Sequence, residues 1–189
     1  MNDNTFKIIA GSLKGRKFIF PDSDGLRPTP GKTRETLFNW VQFDIANSKI
    51  LDLYAGSGSL SLEAISRGAK KACLIEKNIK VFKALESNFK ILESSKYQLN
   101  NDDAIIFLEN QSPNPFDLVF LDPPFNKNLI PHTLELLSKK NYLNINSLIY
   151  IESEYLMTLN ILTAVIGYEC KIKKQKKSSN VHYCLISLG

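Results

Sequence analysis

Long apolar runs are missing from this sequence. No segment reaches the roughly 18 consecutive apolar residues of a membrane-spanning helix. The N-terminal segment MNDNTFKIIAGSLKGRKF also lacks the apolar stretch and the cleavage site of a secretory signal peptide. We therefore expect a cytoplasmic protein that has no membrane partner.

Cysteine and histidine are scarce. The three cysteines are odd in number and far apart, at Cys73, Cys170 and Cys184, which favours reduced core thiols over a disulfide framework. The two histidines, His132 and His182, add too little to form the ligand spacing of a metal site. We therefore predict neither a structural disulfide nor a bound metal.

The composition is that of a folded domain with an uneven surface charge. The 189 residues, 43% of them hydrophobic, are enough for one domain with a substantial core, and we expect a monomer. A basic excess of 24 residues against 19 acidic ones gives a net charge of +5, concentrated near the N-terminus and in the run KIKKQKK at 171–177. Such patches attract nucleic acid, but a lysine-rich solvated surface has the same composition, so charge alone leaves both interpretations open.

The N-terminal part of the chain predicts a small extension. Residues 6–20 have the pattern of two short strands around a glycine-containing turn. That hairpin would display three basic residues: Lys14, Arg16 and Lys17. The proline- and glycine-rich stretch 21–31 predicts a loop that leads into a helix. Because residues 1–35 are too short for a core of their own, we expect them to pack on a main domain of residues 36–189.

Strand and helix patterns alternate after residue 50. Strands are predicted at 50–54, 71–75, 97–100, 116–121, 147–152, 164–174 and 181–188, and helices at 59–67, 81–92, 104–109, 130–139 and 154–159. This alternation is typical of a Rossmann-like α/β fold with a mostly parallel seven-stranded sheet and helices on both faces. The last two strands have no helix between them, so we expect an antiparallel pair at one edge.

The first strand ends in a glycine turn that favours a cationic ligand. A dinucleotide site has the pattern G-x-G-x-x-G, but after Gly56 and Gly58 this chain has Ser61 at the third position. Asp52 lies beside the turn, and acidic residues suit a sulfonium and an ammonium group better than a pyrophosphate. The pattern therefore argues against a dinucleotide.

Two further acidic residues follow the second and third strands. Because the carboxyl ends of parallel strands meet at one rim of a sheet, Glu76 and Asp103 are expected near the glycine turn. Glu76 can accept hydrogen bonds from ribose hydroxyls, and Asp103 can accept one from an adenine amino group. S-adenosylmethionine carries all of these groups. The alternative interpretation is that these acidic residues cap the helices that follow them.

The strongest predicted strand, 116–121, ends in the segment Asp122-Pro123-Pro124-Phe125. Prolines have no N–H group and a restricted φ, so this segment presents the Asp122 carboxylate and the Pro123 carbonyl as acceptors without competing donors. These acceptors can bind the two hydrogens of an exocyclic nucleobase amine, and Phe125 offers a ring for stacking an unstacked base. A rigid loop that merely ends the strand is the alternative.

These motifs resemble a known family. DLYAGSG, the acidic residue at 76, Asp103-Ala104 and DPPF resemble class I S-adenosylmethionine-dependent methyltransferases that act on exocyclic amines through a [D/N/S]-P-P-[Y/F/W] motif. The stretches IIAGSLKGRKF, LRPTP, TRETLFNW, LDLYAGSGSLSLEAISRGA and FDLVFLDPPF narrow the resemblance. Between residues 7 and 125 they are similar, in order, to the RsmD family of bacterial 16S rRNA (guanine-N2)-methyltransferases.

The resemblance implies a set of functional residues. For S-adenosylmethionine these are Asp52, Tyr54, Ala55, Gly56, Gly58, Glu76, Asp103 and Ala104, with Tyr54 expected to fill space rather than react. For the target guanine they are Asp122, Pro123, Pro124 and Phe125. For RNA they are Lys14, Arg16, Lys17, Arg27, Thr29 and Arg34. The implied partner is 16S rRNA or the assembling small ribosomal subunit.

The chain departs from the family pattern at two places. Pro30, Gly31 and Lys32 stand where the family usually has an acidic-basic pair, which leaves the detailed roles of that loop open. Ser61 stands where the family usually has glycine, a change that we expect to affect packing rather than chemistry.

Two other functions stay open on the sequence. A DNA adenine-N6 or protein-glutamine methyltransferase shares the Pro-Pro motif, although 189 residues leave no room for the large target-recognition domain of the DNA enzymes. A catalytically silent RNA-binding module is the third possibility. The intact Asp122–Phe125 segment and Glu76 argue against it.

Overall fold

The structure is a computed structural model that describes residues 4–23, 29–111, 114–167 and 169–188. Within these ranges the elements are β1 (Asn4–Lys7), β2 (Lys17–Phe20), α1 (Gly31–Trp40), β3 (Lys49–Asp52), α2 (Ser59–Ser66), β4 (Lys71–Ile75), α3 (Ile79–Phe89), β5 (Tyr97–Asn100), α4 (Ala104–Asn110), β6 (Phe116–Leu121), α5 (Leu129–Lys139), β7 (Leu143–Ser153), α6 (Leu159–Ile166), β8 (Cys170–Ser178) and β9 (Val181–Leu188). A short 3₁₀ turn, Ser94–Lys96, precedes β5. None of the helices in this described part has the length and apolar character needed to cross a membrane.

The strands form a large main sheet and a small separate one. In the described residues the main sheet has seven strands in the order β5-β4-β3-β6-β7-β9-β8. The strands from β5 to β7 are parallel, and β9 runs antiparallel to both of its neighbours. This topology confirms the predicted α/β fold and the antiparallel pair at one edge. β1 and β2 form the predicted hairpin, with Phe6 opposite Phe18.

The central strands have apolar side chains on both faces because helices cover both faces. Consecutive residues of a strand point to opposite sides, so Ile50 packs into one cluster and Leu51 into the other. α1, α2 and α3 contribute to the first cluster, and α4, α5 and α6 to the second. The side chains of Ile50 and Leu51 are both fully buried, which explains why β3 is a nearly continuous apolar run.

The predicted positions of the first helix and the first strand after β7 were wrong, whereas the last strand lies at Val181–Leu188 as predicted. The helix lies at Leu159–Ile166 rather than 154–159, and the residues at 164–166 are helical rather than the start of a strand. Thr158 caps this helix by accepting a hydrogen bond from the Ile161 N–H at 3.4 Å, and Gly167 ends it in a left-handed conformation with φ of 75°. A short apolar run does not distinguish a helix from a strand by its periodicity, so the caps were the better guide.

The N-terminal hairpin packs on helix α2 through polar contacts. Glu63 is fully buried and accepts hydrogen bonds from the backbone N–H groups of Ile9 at 2.8 Å and Ala10 at 3.0 Å. Ser66 Oγ accepts one from the Leu13 N–H at 2.9 Å. The hairpin and the main sheet share one hydrophobic cluster. The predicted boundary at residue 35 falls within α1, and a division of the chain there stays a prediction.

Gly11 is the position where this packing is most sensitive to a side chain. Its φ is +85°, and a Cβ atom there would lie 1.8 Å from the Ser66 carbonyl oxygen. Gly15 has a φ of +84°, but the nearest atom to its added Cβ is the flexible Lys7 Cε at 3.8 Å. The two glycines therefore differ in the space available for a Cβ atom, while their backbone strain is nearly the same.

We predict that Gly11→Ala destabilises the protein by at least about 2 kcal/mol more than Gly15→Ala, because it adds a backbone clash to the same left-handed strain. Gly15→Ala should itself cost about 1 kcal/mol. Urea unfolding of both variants measures the difference. Equal losses of stability would show that the hairpin connection can move away from α2 without cost.

Candidate active site

Parallel pairing brings the carboxyl ends of the central strands together. Asp52 at the end of β3 is in register with Leu74 of β4 and with Phe120 of β6. The residues that follow these strands therefore share the rim of the sheet. The acidic residues that follow or end strands there include Asp52, Glu76, Asp103, Asp122 and Glu152.

The glycine turn joins β3 to α2 as predicted. The Ala55 N–H donates to the Ile75 carbonyl at 3.0 Å, and the Gly58 N–H donates back to the Ala55 carbonyl at 2.8 Å. Gly56 and Gly58 have φ values of 51° and 74°, in the left-handed region that favours glycine. A Cβ atom on Gly58 would also lie 2.6 Å from a methyl group of Leu85. The turn thus directs the N-terminal N–H groups of α2 toward the rim.

Asp52 is a buried carboxyl group with a single side-chain donor in the described structure. It is 4% exposed, and Ser61 Oγ donates a hydrogen bond to its Oδ2 at 2.7 Å. Burial raises the pKa of Asp52 to about 7; the Ser61 hydrogen bond lowers it, and the charges of Asp122 and Glu76 raise it further. Ser61 thus contacts a site carboxyl, so its effect is not limited to packing.

Glu76 is held in one orientation by backbone groups. Its Oε2 accepts a hydrogen bond from the Gly56 N–H at 2.9 Å, and its Oε1 accepts one from the Asn78 N–H at 2.6 Å. Burial raises the pKa of Glu76, while these backbone bonds lower it in part. Each carboxylate oxygen has a second acceptor site, so Glu76 can still accept hydrogen bonds from two hydroxyl groups.

Asp103 caps helix α4, as the alternative interpretation expected. Its Oδ1 accepts hydrogen bonds from the N–H groups of Ile105 and Ile106, and its Oδ2 lies 3.0 Å from Lys77 Nζ. Burial tends to raise the pKa of Asp103, but the Lys77 and backbone hydrogen bonds outweigh it, so the pKa lies below its usual value. Ala104 is buried directly after it. The predicted adenine contact of Asp103 stays a prediction.

Tyr54 links the end of β3 to helix α5. Its hydroxyl lies 2.9 Å from Thr133 Oγ1, and Thr133 donates its own hydrogen to the Leu129 carbonyl at 2.8 Å. Tyr54 is therefore the donor in this pair. Burial raises the pKa of Tyr54, so the hydroxyl stays protonated. This geometry agrees with a residue that shapes the site rather than reacts.

The Asp-Pro-Pro-Phe segment presents a partly buried acid and an accessible ring at the same rim. Burial raises the pKa of Asp122 to about 7. Pro123 is buried, Pro124 is exposed, and the Phe125 side chain is 36% exposed. The ring can therefore contact a base from solvent while the carboxyl group lies deeper in the protein.

Two acidic residues that the sequence analysis missed support this segment. Glu152 is 5% exposed at the end of β7, and the pairing of Ile151 with Leu121 places it beside Asp122. Tyr150 donates a hydrogen bond to Glu152 Oε1 at 2.8 Å. Burial and the Asp122 charge hold the pKa of Glu152 well above its usual value.

Glu154 holds the loop that follows Phe125. Its Oε1 accepts a hydrogen bond from the Asn126 N–H at 3.0 Å. Asn126 and Asn128 have φ values of 61° and 50°, a left-handed conformation that asparagine tolerates better than most residues. The signal for both acids was present, since a buried strand that ends in LIYIESE obeys the same rule that identified Asp122.

Exposure divides the residues predicted to bind RNA. Lys14, Arg16 and Lys17 are exposed, whereas Thr29 is 8% exposed. Arg27 lies outside the described residues. The connection that carries Lys14 packs on the Ser66 end of α2, about 12 Å along that helix from the glycine turn. RNA binding by this set stays a prediction.

Arg34 is buried beneath the hairpin. Its side chain is 4% exposed, its Nη2 donates to the Lys7 carbonyl at 2.8 Å, and its Cζ lies 5.3 Å from the Phe6 ring centroid. Burial lowers the pKa of Arg34, and the Glu63 charge opposes that shift. Among the described residues, Arg34 Nε and Nη1 have no hydrogen-bond partner. This packing favours a structural role over contact with RNA.

Groups that could bind a metal ion or form a disulfide are dispersed. Across the described ranges, no three His, Cys, Asp or Glu side chains are arranged to hold a metal ion. Cys73, Cys170 and Cys184 are free and buried.

Comparison with known proteins gives a consistent set of relatives. A sequence profile described as Conserved hypothetical protein 95 matches residues 6–187. Ribosomal RNA small subunit methyltransferase D of Buchnera aphidicola subsp. Acyrthosiphon pisum is 38% identical over 181 residues, which cover 93% of this chain and 95% of the relative. The protein of the same name from Escherichia coli K12 is 45% identical over 148 residues, 78% of this chain and 74% of the relative. The solved structure of the Escherichia coli protein yhhF has a TM-score of 0.86 and 37% identity over 98% of each chain.

The buried acids of the rim predict an unusual pH dependence of stability. A carboxyl group whose pKa is higher in the folded state holds its proton more tightly there, so folding weakens as pH rises from about 4 to about 7. We predict that Asp52→Asn stabilises the ligand-free protein at pH 8 by on the order of 2 kcal/mol and by much less at pH 5. Urea unfolding at both pH values measures this.

Asp103→Asn is the control, because its expected effect on stability at pH 8 is opposite to that of Asp52→Asn. Because the folded pKa of Asp103 is lowered, its contribution to stability is present above its unfolded pKa and is lost as pH falls. This variant should therefore destabilise the protein at pH 8. If Asp52→Asn destabilised the protein at pH 8, the raised pKa assigned to Asp52 would be contradicted.

Proposed function

The chain belongs to the Conserved hypothetical protein 95 family, together with the small subunit rRNA methyltransferases D, and we propose that it methylates 16S rRNA. The reaction is transfer of a methyl group from S-adenosylmethionine to the exocyclic N2 amine of a guanine. One observation carries this proposal. Adjacent parallel strands bring the glycine turn after Asp52 and the Asp122–Phe125 segment to the same rim. This proximity supports a cofactor site and an amine site that lie next to each other.

The residues at the rim fit S-adenosylmethionine by charge and by hydrogen-bonding capacity. Asp52 and Glu76 provide negative charge where the cofactor carries a sulfonium and an ammonium. Glu76, already oriented by the Gly56 and Asn78 N–H groups, has acceptor sites left for two ribose hydroxyls. Gly56 and Gly58 leave space for close approach. When bound, S-adenosylmethionine supplies an electrophilic methyl group.

Asp122 and Pro123 are proposed to hold the guanine amine. The Asp122 carboxylate and the Pro123 carbonyl accept its two hydrogens, which orients the nitrogen lone pair toward the cofactor side of the rim. Orientation and proximity supply most of the catalysis in this scheme. The amine becomes acidic only as it is alkylated, so a carboxylate with a pKa of about 7 is basic enough to accept its proton.

The substrate is proposed to be single-stranded or locally opened rRNA. Phe125 is accessible for stacking on an unpaired guanine. A guanine that is paired and stacked inside an RNA helix cannot make this contact. Naked 16S rRNA and the assembling small subunit both offer such a base. The reaction takes place in the cytoplasm, where the protein is expected to act as a monomer.

The proposal is tested by transfer of labelled methyl groups from S-adenosylmethionine to naked 16S rRNA, to assembled small subunits and to DNA. We predict label at guanine N2 in at least one RNA substrate and none in DNA. Asp122→Ala should reduce turnover by about 100-fold or more, because the amine loses its acceptor, while cofactor affinity changes much less.

The outcomes separate the alternatives. Label in DNA alone would support a DNA adenine methyltransferase, and label in protein glutamine would support a protein methyltransferase. Absence of transfer to every substrate, with RNA binding retained, would support a silent RNA-binding module. Equal losses of turnover and cofactor affinity in Asp122→Ala would contradict its assignment to the amine.

Glu76→Ala should weaken S-adenosylmethionine binding by about 10-fold or more, because two charge-assisted acceptor bonds to the ribose are lost. Calorimetry measures this affinity directly. Glu86→Ala, an exposed position on α3, is the matched control and should bind the cofactor normally. An unchanged affinity in Glu76→Ala would refute the ribose assignment.

A further inference from the structure

Strand β8 forms a basic edge of the main sheet. It contains five exposed lysines and no acidic residue: Lys171, Lys173, Lys174, Lys176 and Lys177. The paired strand β9 contains no acidic residue either. β8 is the outermost strand next to β9 in the main sheet. A long positive edge of this kind attracts a polyanion.

The direction of β8 brings its C-terminal half to the rim. β8 is antiparallel to β9, and β9 is antiparallel to β7, so β8 runs in the same direction as β7 and β6. The register is continuous: Lys176 lies opposite Tyr183, and Tyr183 lies opposite Glu152, the neighbour of Asp122. Three strand spacings separate the backbones of Lys176 and Asp122, a distance of about 14 Å.

Two of the lysines also share the face on which Asp122 lies. Residues opposite each other in an antiparallel pair point to the same side of the sheet. Lys176 pairs with Tyr183 and Lys174 with Leu185, and both partners belong to the cluster that contains Phe120. Asp122 follows Phe120 by two residues, so its side chain points to that side as well.

The surroundings of Tyr183 leave the lysines of this face free to contact RNA. Trp40 of α1 covers Tyr183, with ring centroids 5.5 Å apart, and the lysines lie beyond this contact in solvent. Gln175 points to the other face, where its Nε2 donates to the Met157 carbonyl at 2.8 Å. The strand is thus anchored on one side and presents positive charge on the other.

Lysines on an edge strand have a second possible role. They prevent the open edge from pairing with another chain, and this role needs charge but not a particular sign. The sign of the charge therefore distinguishes protection of the edge from binding of a polyanion.

We infer that Lys174 and Lys176 bind the sugar-phosphate backbone of the rRNA that flanks the target guanine. The inference rests on the proposed function, because the occupant is the methylated RNA itself. The lysines hold phosphates beside the rim while the target base enters between Phe125 and Asp122. Phosphate contacts of this kind position the RNA without reading its sequence.

The test compares two double charge reversals. Lys174→Glu/Lys176→Glu reverses two charges on the basic edge. Lys70→Glu/Lys71→Glu makes the same change in net charge at the start of β4, in the other half of the sheet and at the end of the strands opposite the rim. RNA affinity is measured as a function of salt concentration, together with turnover on the same RNA. Lys174→Arg/Lys176→Arg keeps the positive charge and is the rescue variant.

We expect the Lys174→Glu/Lys176→Glu variant to lower the slope of log affinity against log salt by about 1.5, since each lost phosphate contact removes about 0.7 to 0.9. Its KM for RNA should rise about 10-fold or more, with turnover at saturating RNA unchanged. The Lys70→Glu/Lys71→Glu variant and the arginine variant should keep the wild-type slope. Size-exclusion chromatography should show no aggregation of any variant.

Equal slopes in the two reversed variants would overturn the inference while leaving the proposed function intact. Aggregation of the arginine variant would also overturn the inference. It would show that the edge needs lysine itself to remain unpaired, and not merely a positive charge. Failure of the proposed function is distinguishable, since it would show as the absence of rRNA methylation by the wild-type protein.

Discussion

Parallel pairing of β3 with β4 on one side and with β6 on the other is the constraint on which the rest of this structure depends. It makes neighbours of three acids that are far apart in the chain: Asp52, Glu76 and Asp122. Helices on both faces then bury the strands, so the acids can meet solvent or a ligand at the rim but nowhere else along these strands. The position of the site follows from the topology, and its chemistry follows from which residues end the strands.

The arrangement has an electrostatic cost. Asp52 and Glu152 are buried carboxyl groups whose pKa values are raised first by burial and further by the charge of the partly buried Asp122, and burial of like charges weakens the folded state near neutral pH. The hydroxyl groups of Ser61 and Tyr150 offset part of this cost by donating hydrogen bonds. A cationic ligand would offset more of it. Groups held at unfavourable pKa values are typical of functional sites, where their charge is needed by a reacting partner.

Much of the fold could be predicted because local patterns and the global fold agree. The bounds of β4, β5 and β6 are those that the sequence predicts, since apolar runs with polar ends describe buried parallel strands well. Helix α6 was misplaced because its apolar, partly β-branched residues fit a strand equally well. Thr158 and Gly167 marked its true ends, and only the assembled sheet shows which pattern prevails.

The acidic residues of the candidate site were predictable where a single acid stands at or near the end of a predicted strand, as with Asp52, Glu76 and Asp122. Glu152 escaped prediction although the predicted strand 147–152 ends on it, and Glu154 escaped prediction because the predicted helix 154–159 includes it. The burial of Arg34 could not be read from its neighbours in the chain. It results from the packing of Phe6 and the Lys7 carbonyl over α1, contacts that link residues far apart in sequence. A basic residue in a basic segment therefore looked exposed.

The insertion of β9 between β7 and β8 has a consequence for the order of folding. β8 precedes β9 in the chain, yet it has no place in the main sheet until β9 lies beside β7. During synthesis the acidic rim from β3 to β7 can assemble before β8 is paired, so the basic edge is the last part of the sheet to form. A nascent chain would therefore acquire its acidic rim before its lysine-rich edge, and an unpaired β8 would be kept apart from other chains by its own charge.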